Sequence, residues 1–146
     1  MALMNSETNP KRPFSDVIER LRSVGLRPTR QRLALAKLLF EGVGRHITAE
    51  KLHIEAQEAS IRVSLATVYN TLHQFTDVGL LREIAVDSSR SYFDTNNSDH
   101  HHFFFEESGD LADIEDDQID VARLPEPPAG THIERVDVVI RVIEDK

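Results

Sequence analysis

Three hydroxyl side chains in the first half of the chain each stand directly before a segment with helical apolar spacing. Thr29, Thr48 and Ser64 are good N-cap residues, because their side-chain oxygens accept the backbone N–H groups that a helix leaves unpaired at its start. An earlier segment, from Phe14 to Val24, has the same apolar spacing. The pattern predicts four consecutive helices, the last of which runs from Ser64 to about Asp77.

Two short β-prone runs follow the last helix. They cover residues 81–86 and 91–93, and the four residues between them favour a turn. Helices followed by a small hairpin are typical of a winged helix. We therefore predict an α+β chain whose residues 1–93 form an N-terminal winged-helix DNA-binding domain, with residues 1–13 flexible.

The second half of the chain has less apolar material. Residues 94–99 are polar and are predicted to be a linker. The predicted elements beyond it are a strand at 103–105, a short helix at 116–123 and a half-buried strand in which Val136, Val138, Ile140 and Val142 alternate with mostly polar residues. Roughly 50 residues with one strong amphipathic strand have too little core to be stable alone. We expect residues 100–146 to form a small α/β dimerisation domain that pairs with a twin in a homodimer.

The net charge of −8 is divided unevenly along the chain. Residues 1–93 carry 13 basic and 10 acidic side chains, whereas residues 94–146 carry 4 basic and 15 acidic ones. No acidic residue interrupts the six basic residues from Arg20 to Lys37. This division favours phosphate contact by the first half, although a solvated helix face beside an acidic surface would show the same balance.

Several classes of protein are disfavoured by what the sequence lacks. It has no cysteine, hence no disulfide and no thiol chemistry, and a cytoplasmic location is expected. It has no run of eighteen apolar residues and no apolar signal-peptide core, so no membrane association is expected. The absence of a Gly-rich phosphate loop, an HExxH motif and a nucleophile motif argues against an enzyme. A metal-dependent hydrolase and a metal-storage module are the alternatives from other classes.

The outer face of the last helix is rich in hydrogen-bonding groups and has few charges. Its predicted members are Thr67, Tyr69, Asn70, Thr71, His73 and Gln74. Amide groups pair with adenine, and the ring of Tyr69 suits the thymine methyl group. Arg27, Arg30 and Arg32 lie on another element and are candidates for phosphate contacts. These features favour a base-reading helix over an ordinary solvated one.

The most distinctive chemical feature is the triplet His100-His101-His102. At least two of these side chains can point the same way on an extended strand. Imidazole binds Zn, Fe, Mn or Ni, and neighbouring carboxylates bias a site toward Mn(II) or Fe(II). A solvated polar loop is the alternative interpretation.

Three motifs in the correct order resemble the ferric uptake regulator family, and the resemblance runs from about residue 14 to 143. The motifs are the recognition-helix signature at 66–69 (ATVY) with Leu72, Phe75 and Gly79-Leu80, the entry to helix two at 25–32 (GLRPTRQR), and the segment of the first metal histidine at 46–50 (HITAE). The resemblance implies a homodimer with metal-dependent DNA binding. It also implies that Arg27 enters the minor groove, Tyr69 meets base methyls and Arg32 contacts the DNA backbone. Asn70 stands where iron-sensing members often have arginine.

The same resemblance implies two metal sites. An interdomain site would use His46, Asp94, His100 and His102, with Asp113 near a further ligand, although the family's usual acid at position 94 is glutamate. A second site would use Asp99, His101 and Asp120, and its remaining histidine is replaced by Val136. The family's zinc cysteines fall on Phe105 and Ser108, so no structural zinc–cysteine site is expected.

The triplet without cysteines resembles the iron response regulator branch of that family. This resemblance implies a regulator of iron and haem homeostasis that binds DNA under iron limitation and is released by haem at His100, His101 and His102. The adjacent phenylalanines at 103–105 offer an apolar surface for the porphyrin. The alternative is a metal-activated Fur-type repressor that responds to Mn(II) or Fe(II) without haem sensing. Both predict double-stranded DNA with an AT-rich inverted repeat as the target.

The positions of these ligands suggest how binding would control DNA affinity. His46 belongs to the first half, the triplet to the second and Asp94 to the joint. A ligand that bridges them would fix the angle between the halves. In a homodimer this angle sets the distance between the two recognition helices.

Overall fold

The computed structural model describes residues 14–98 and 100–146. The predictions for residues 1–13 and for Asp99 therefore lie outside the described residues. The helices are α1 (Ser15–Ser23), α2 (Arg30–Phe40), α3 (Ala49–Glu58) and α4 (Leu65–Asp77), with a short 3-10 helix at Asp116–Gln118. The strands are β1 (His46–Ile47), β2 (Arg82–Asp87), β3 (Arg90–Asp94), β4 (His101–Phe105), β5 (Leu111–Ile114) and β6 (Val139–Val142).

The predicted hydroxyl caps are confirmed at the start of three helices. The side-chain oxygen of Thr29 accepts the N–H of Arg32 at 3.2 Å, and that of Thr48 accepts the N–H of Lys51 at 3.2 Å. Ser64 accepts the N–H of Thr67 at 3.0 Å. Each cap is worth about 1 kcal/mol, and together they determine where α2, α3 and α4 begin.

The four helices enclose one hydrophobic core. Leu21 of α1, Leu35 of α2, Leu52 of α3, and Leu72 and Phe75 of α4 have no exposed surface. Full burial of such a side chain stabilises the fold by roughly 1.5–3 kcal/mol relative to exposure. Packing of this kind holds the outer face of α4 at a fixed orientation.

A three-stranded antiparallel sheet in the order β1-β3-β2 completes the N-terminal half. In the middle strand, Asp94 lies opposite His46 on one side and opposite Arg82 on the other. Directly opposed residues point to the same face of a sheet, so these three side chains share a face. Helices with this small sheet confirm the predicted α+β class and the winged-helix plan.

The C-terminal half contains a second three-stranded sheet, in the order β5-β4-β6. Strand β4 is antiparallel to β5 and parallel to β6, and His102 lies opposite Asp113. Two residues further along β4, Phe104 has no exposed surface, and its ring packs on Tyr92 of β3 with the centroids 6.2 Å apart. The two sheets therefore contact each other through the face that carries His102.

Three sequence-based expectations differ from the structure. The helix expected at 116–123 is wrong beyond the short 3-10 turn, because Asp and Val are poor helix formers and the segment has almost no buried residue on which a helix could pack. The strand expected from Val136 begins only at Val139, and Ile140 is exposed. Thr71, expected on the outer face of α4, is 5% exposed and faces the core.

The predicted linker at 94–99 overlaps the last residue of strand β3. Strand β3 ends at Asp94, the first residue of the predicted 94–99 segment, so this residue is held by strand pairing rather than by a loop. The division into domains at 1–93 and 100–146 stays a prediction. None of the described helices is long and apolar enough to cross a membrane.

Candidate metal centre

Five metal-ligating side chains from the two sheets converge at one point. They are His46, Asp94, His100, His102 and Asp113, and each offers one ligand atom within 4.8 Å of the others. Strand pairing explains the convergence. The register of β1 on β3 brings His46 to Asp94, and the register of β4 on β5 brings His102 to Asp113. These are the five residues predicted for the interdomain site.

The two carboxylates lie among the three imidazole rings. Oδ2 of Asp94 is 3.0 Å from Nε2 of His46, 2.9 Å from Nε2 of His100 and 3.1 Å from Nε2 of His102. Oδ1 of Asp113 is 2.8, 3.0 and 3.3 Å from the same three nitrogens. Asp94, His100 and His102 are buried, His46 is mostly buried, and Asp113 is exposed. The cluster is therefore closed to solvent on the side of Asp94, His100 and His102 and open to solvent on the side of Asp113.

Hydrogen bonds around the cluster fix the orientation of its members. Nδ1 of His100 donates to the carbonyl oxygen of Ser98 at 2.7 Å, and the N–H of Asn96 donates to Oδ1 of Asp94 at 2.9 Å. A proton on Nδ1 of His100 leaves Nε2 as the ligand atom. Such outer hydrogen bonds orient metal ligands and raise their basicity.

The electrostatics of the cluster favour an ionised carboxylate. Burial by itself raises the pKa of Asp94, but hydrogen bonds from His102, His46 and the backbone of Asn96 outweigh it and hold that pKa well below its usual range. Burial lowers the pKa of His46, yet its hydrogen bond to Asp94 and the charges of Asp94 and Asp113 outweigh burial and raise that pKa. The site therefore attracts positive charge.

A divalent cation fits this set of donors better than protons do. Without a cation, each contact between an imidazole Nε2 and a carboxylate needs a proton on that nitrogen. Because Nδ1 of His100 donates to the carbonyl oxygen of Ser98, the lone pair of the neutral ring lies on Nε2, the atom that faces both carboxylates. Three imidazole nitrogens and two carboxylate oxygens suit Mn(II), Fe(II) or Zn(II).

The residues predicted for the second metal site and for haem do not all converge as the five-residue cluster does. Nδ1 of His101 accepts the N–H of Val138 at 3.1 Å, and Asp120 is exposed beyond the 3-10 helix. Since Asp99 lies outside the described residues, the second site stays a prediction. Within the triplet, His100 and His102 face the carboxylates, whereas His101 alternates to the opposite side of β4. Both His100 and His101 border a cavity of about 330 Å³.

The residues predicted to contact DNA lie around α4 and the loop before α2. Arg27, Arg30 and Asn70 are exposed, Tyr69 is 36% exposed and Thr67 is half-buried. Arg32 is engaged within the protein: its guanidinium donates to Oε1 of Gln74 at 3.1 and 3.2 Å and to the carbonyl oxygen of Arg27 at 2.8 Å. It thereby connects the Arg27 loop to α4.

Two groups of side-chain contacts were not predicted from the sequence. The hydroxyl of Tyr69 donates to Glu50 of α3, and the Tyr69 ring stacks on His73 with the centroids 6.4 Å apart. Arg82 is 2% exposed and pairs with Asp137 of the C-terminal half. An arginine within the β-prone run at 81–86 was the one available signal for the second group. The first group had none, because the packing of α3 on α4 creates it.

A winged helix joined to a small sheet by a histidine–carboxylate cluster defines a metal-responsive DNA-binding regulator. Comparison with known proteins supports this class. Residues 23–140 match the ferric uptake regulator family, and the chain belongs to that family. Members of the family are DNA-binding dimers, and the chain is accordingly a metal-responsive transcriptional regulator whose relatives are not enzymes. Its assignment to the iron response regulator branch stays a prediction.

Two relatives and two solved structures illustrate the similarity. The peroxide-responsive repressor PerR of Staphylococcus epidermidis is 34% identical over 107 residues, covering 73% of this chain and 71% of that protein. PerR of Staphylococcus aureus strain Mu50 is 33% identical over 112 residues, covering 76% and 75%. The Pseudomonas aeruginosa ferric uptake regulator with manganese has a TM-score of 0.66 and 26% identity, covering 88% of this chain and 97% of the other. The Vibrio cholerae ferric uptake regulator has a TM-score of 0.70 and 24% identity, covering 88% and 99%, and shows the likeness of fold.

Proposed function

We propose that this chain is a homodimeric transcriptional regulator whose DNA affinity depends on a divalent cation held by His46, Asp94, His100, His102 and Asp113. The observation that carries the proposal is the convergence of these five donors from two different sheets within 4.8 Å. When bound, the cation supplies the positive charge that holds the donors together. The donor set favours Mn(II) or Fe(II), and the Pseudomonas relative is a structure with manganese.

The arrangement of the donors explains how the site can act on DNA binding. His46 and Asp94 belong to the sheet that continues into the helical core, and His102 and Asp113 belong to the second sheet. Shared ligation by both pairs fixes the angle between the two halves. In a homodimer, this angle sets the spacing of the two α4 helices, which must match half-sites about 34 Å apart or a multiple of that distance.

The surface around α4 is suited to reading DNA. Arg27 and Arg30 are exposed beside the start of α2, where they can neutralise phosphates. Thr67, Tyr69 and Asn70 lie along α4 and offer a hydroxyl, a ring and an amide to base edges. An AT-rich inverted repeat is the expected target, because these groups suit adenine and the thymine methyl and because a homodimer has twofold symmetry.

The outward face of the second sheet supports the homodimer. Phe103 and Phe105 of β4 face away from the cluster, and with Val142 and Ile143 they border an open cavity of about 320 Å³. Phe105 is 38% exposed and Ile143 is 75% exposed. A second copy of the chain would remove this apolar surface from water.

The second candidate function is that of a haem-responsive regulator, which binds DNA under iron limitation and is released from DNA by haem. The observation that favours it is the cavity beside His101, whose lining includes the apolar Ile119, Val121 and Leu124. His100 and His102 already direct their Nε2 atoms toward the carboxylates. Haem ligation by either of them would therefore compete with the cation and open the joint between the halves.

A gel-shift experiment on an AT-rich inverted repeat at fixed salt tests both candidates. DNA binding by the parent protein is measured in the presence of chelator, of Mn(II) and of haem. The same measurements are made on His46→Ala and on His132→Ala, a control at an exposed histidine far from the cluster in sequence. Binding that Mn(II) promotes in the parent and the control, but not in His46→Ala, supports the proposed function. Equal binding with chelator and Mn(II) contradicts it, and release by haem identifies the second candidate.

A further inference from the structure

An ion pair between a buried arginine and a partly exposed aspartate connects the two halves of the chain beside the metal-ligand cluster. Arg82, the first residue of β2, is 2% exposed, and its guanidinium contacts the carboxylate of Asp137 just before β6. The other oxygen of Asp137 accepts a hydrogen bond from Nε of Arg135 at 2.9 Å. Asp137 thus lies between two arginines, one from each half.

The same guanidinium is hydrogen-bonded to the segment that carries a metal ligand. Nη1 of Arg82 donates to the carbonyl oxygen of Ser98 at 2.9 Å, and Nδ1 of His100 donates to that same oxygen at 2.7 Å. Arg82 also lies directly opposite Asp94 in the pairing of β2 with β3. One buried side chain therefore adjoins two candidate ligands, one through a shared carbonyl and one through strand register.

We propose that Arg82 is a positioning residue for the metal site and that its pairing with Asp137 couples cation binding to the closed arrangement of the two halves. Arg82 holds the carbonyl of Ser98 where it orients the His100 ring, so that Nε2 points at Asp94 and Asp113. This inference rests on the proposed metal-dependent function and deepens it.

The energetics of a buried guanidinium explain why the coupling is strong. Arginine stays charged at any ordinary pH, and a buried charge without its partner is strongly destabilising. If the halves separate, Arg82 loses either Asp137 or Ser98. The ion pair therefore favours the closed arrangement, which is the one that assembles the cluster. Because coupling between two sites is reciprocal, cation binding stabilises the ion pair to the same extent.

Variants of the full chain test the coupling through cation affinity. Arg82→Met, Asp137→Asn and the double variant are compared with Glu106→Gln, which removes a carboxylate paired with Arg141 at 2.7 Å and leaves Ser98 untouched. Mn(II) affinity is measured by competition with a chelator, and Co(II) absorption in the visible range reports the geometry of the ligands. We expect each single variant to weaken Mn(II) binding roughly 10- to 100-fold, as for other partners of metal ligands.

The double variant separates coupling from a general loss of stability. If Arg82 and Asp137 act as one unit, the double variant loses as much Mn(II) affinity as one single variant does. If they act independently, the fold-losses of the two single variants multiply. The Co(II) spectrum changes in the Arg82→Met protein and stays unchanged in Glu106→Gln. Folded Arg82→Met protein with parental affinity and spectrum would overturn the proposal, as would multiplicative losses in the double variant.

A measurement on the parent protein covers the case in which Arg82→Met does not fold. Hydrogen exchange with and without Mn(II) is followed at residues 135–138. Slower exchange there on Mn(II) binding supports the coupling, and unchanged exchange there, with protection at 100–102, refutes it. If the parent does not bind Mn(II) at all, the proposed function itself is overturned. If the parent binds Mn(II) and the variants bind it equally well, only the role of Arg82 is overturned.

Discussion

Replacing His46 by alanine removes one of the two donors that the first sheet contributes to the cluster. Its Nε2 atom lies 3.0 Å from Asp94 and 2.8 Å from Asp113, so the variant loses one of five converging ligand atoms and leaves Asp94 as the only ligand on that sheet. Loss of a group that merely orients a ligand weakens metal binding roughly 10- to 100-fold, and loss of the ligand itself should cost about 100-fold or more.

This loss converts into a measurable change of thermal stability. At a Mn(II) concentration of about 100 times the parental Kd, binding adds about 2.7 kcal/mol to the free energy of unfolding, which is a rise in Tm of roughly 5–11 °C for a chain of this size. With a Kd about 100-fold higher, the same concentration adds only about 0.4 kcal/mol to His46→Ala, a rise of about 1–2 °C.

The assay is thermal unfolding with chelator and with Mn(II), followed by circular dichroism. His132→Ala is the control and should show the full parental rise in Tm. A rise in His46→Ala equal to that of the parent would refute the assignment of His46 as a ligand. A lower Tm with chelator alone would report only the loss of its contacts in the metal-free protein.

Three further predictions concern pH, salt and helix capping. The pKa of His46 is raised in the metal-free fold, so its contribution to stability is fully present below the unfolded pKa and is lost as the pH rises through the folded one. Mn(II) needs the deprotonated ring, and titrations between pH 6 and 8 should show affinity rising with pH, whereas a flat profile would contradict proton competition. Arg30→Ala should weaken binding to specific and random DNA alike and reduce the slope of log K against log salt by about 0.9, and an unchanged slope would exclude a phosphate contact. Ser64→Ala should lower the free energy of unfolding by about 1 kcal/mol through loss of the bond to the N–H of Thr67, which denaturant titration would show as a lower midpoint at constant m-value.

The caps and turns of the N-terminal half were predictable because they depend on neighbouring residues. Thr29, Thr48 and Ser64 each bond to an N–H three residues further along the chain. Gly79 follows α4 with a φ of +82°, a conformation that glycine adopts without strain. Local rules of this kind need no knowledge of the fold.

The predictions for residues beyond Gly109 failed where the outcome depended on tertiary packing. A helix at 116–123 would have almost no core to pack on, and only the turn at Asp116–Gln118 forms. Strand β6 likewise extends only as far as β4 offers a paired partner, which leaves Val136 outside the strand. Propensity is a weak guide when no buried face supports it.

By itself, the sequence determined where the N-terminal helices begin, and its motifs indicated the family and named five candidate ligands. Only the tertiary structure decided that these ligands share one point, because the registers of β1 on β3 and of β4 on β5 bring together residues up to 67 positions apart. The same holds for the bond between Tyr69 and Glu50 and for the pairing of Arg82 with Asp137. Side chains so distant in sequence meet only after the helices and sheets have packed, and no local pattern encodes that packing.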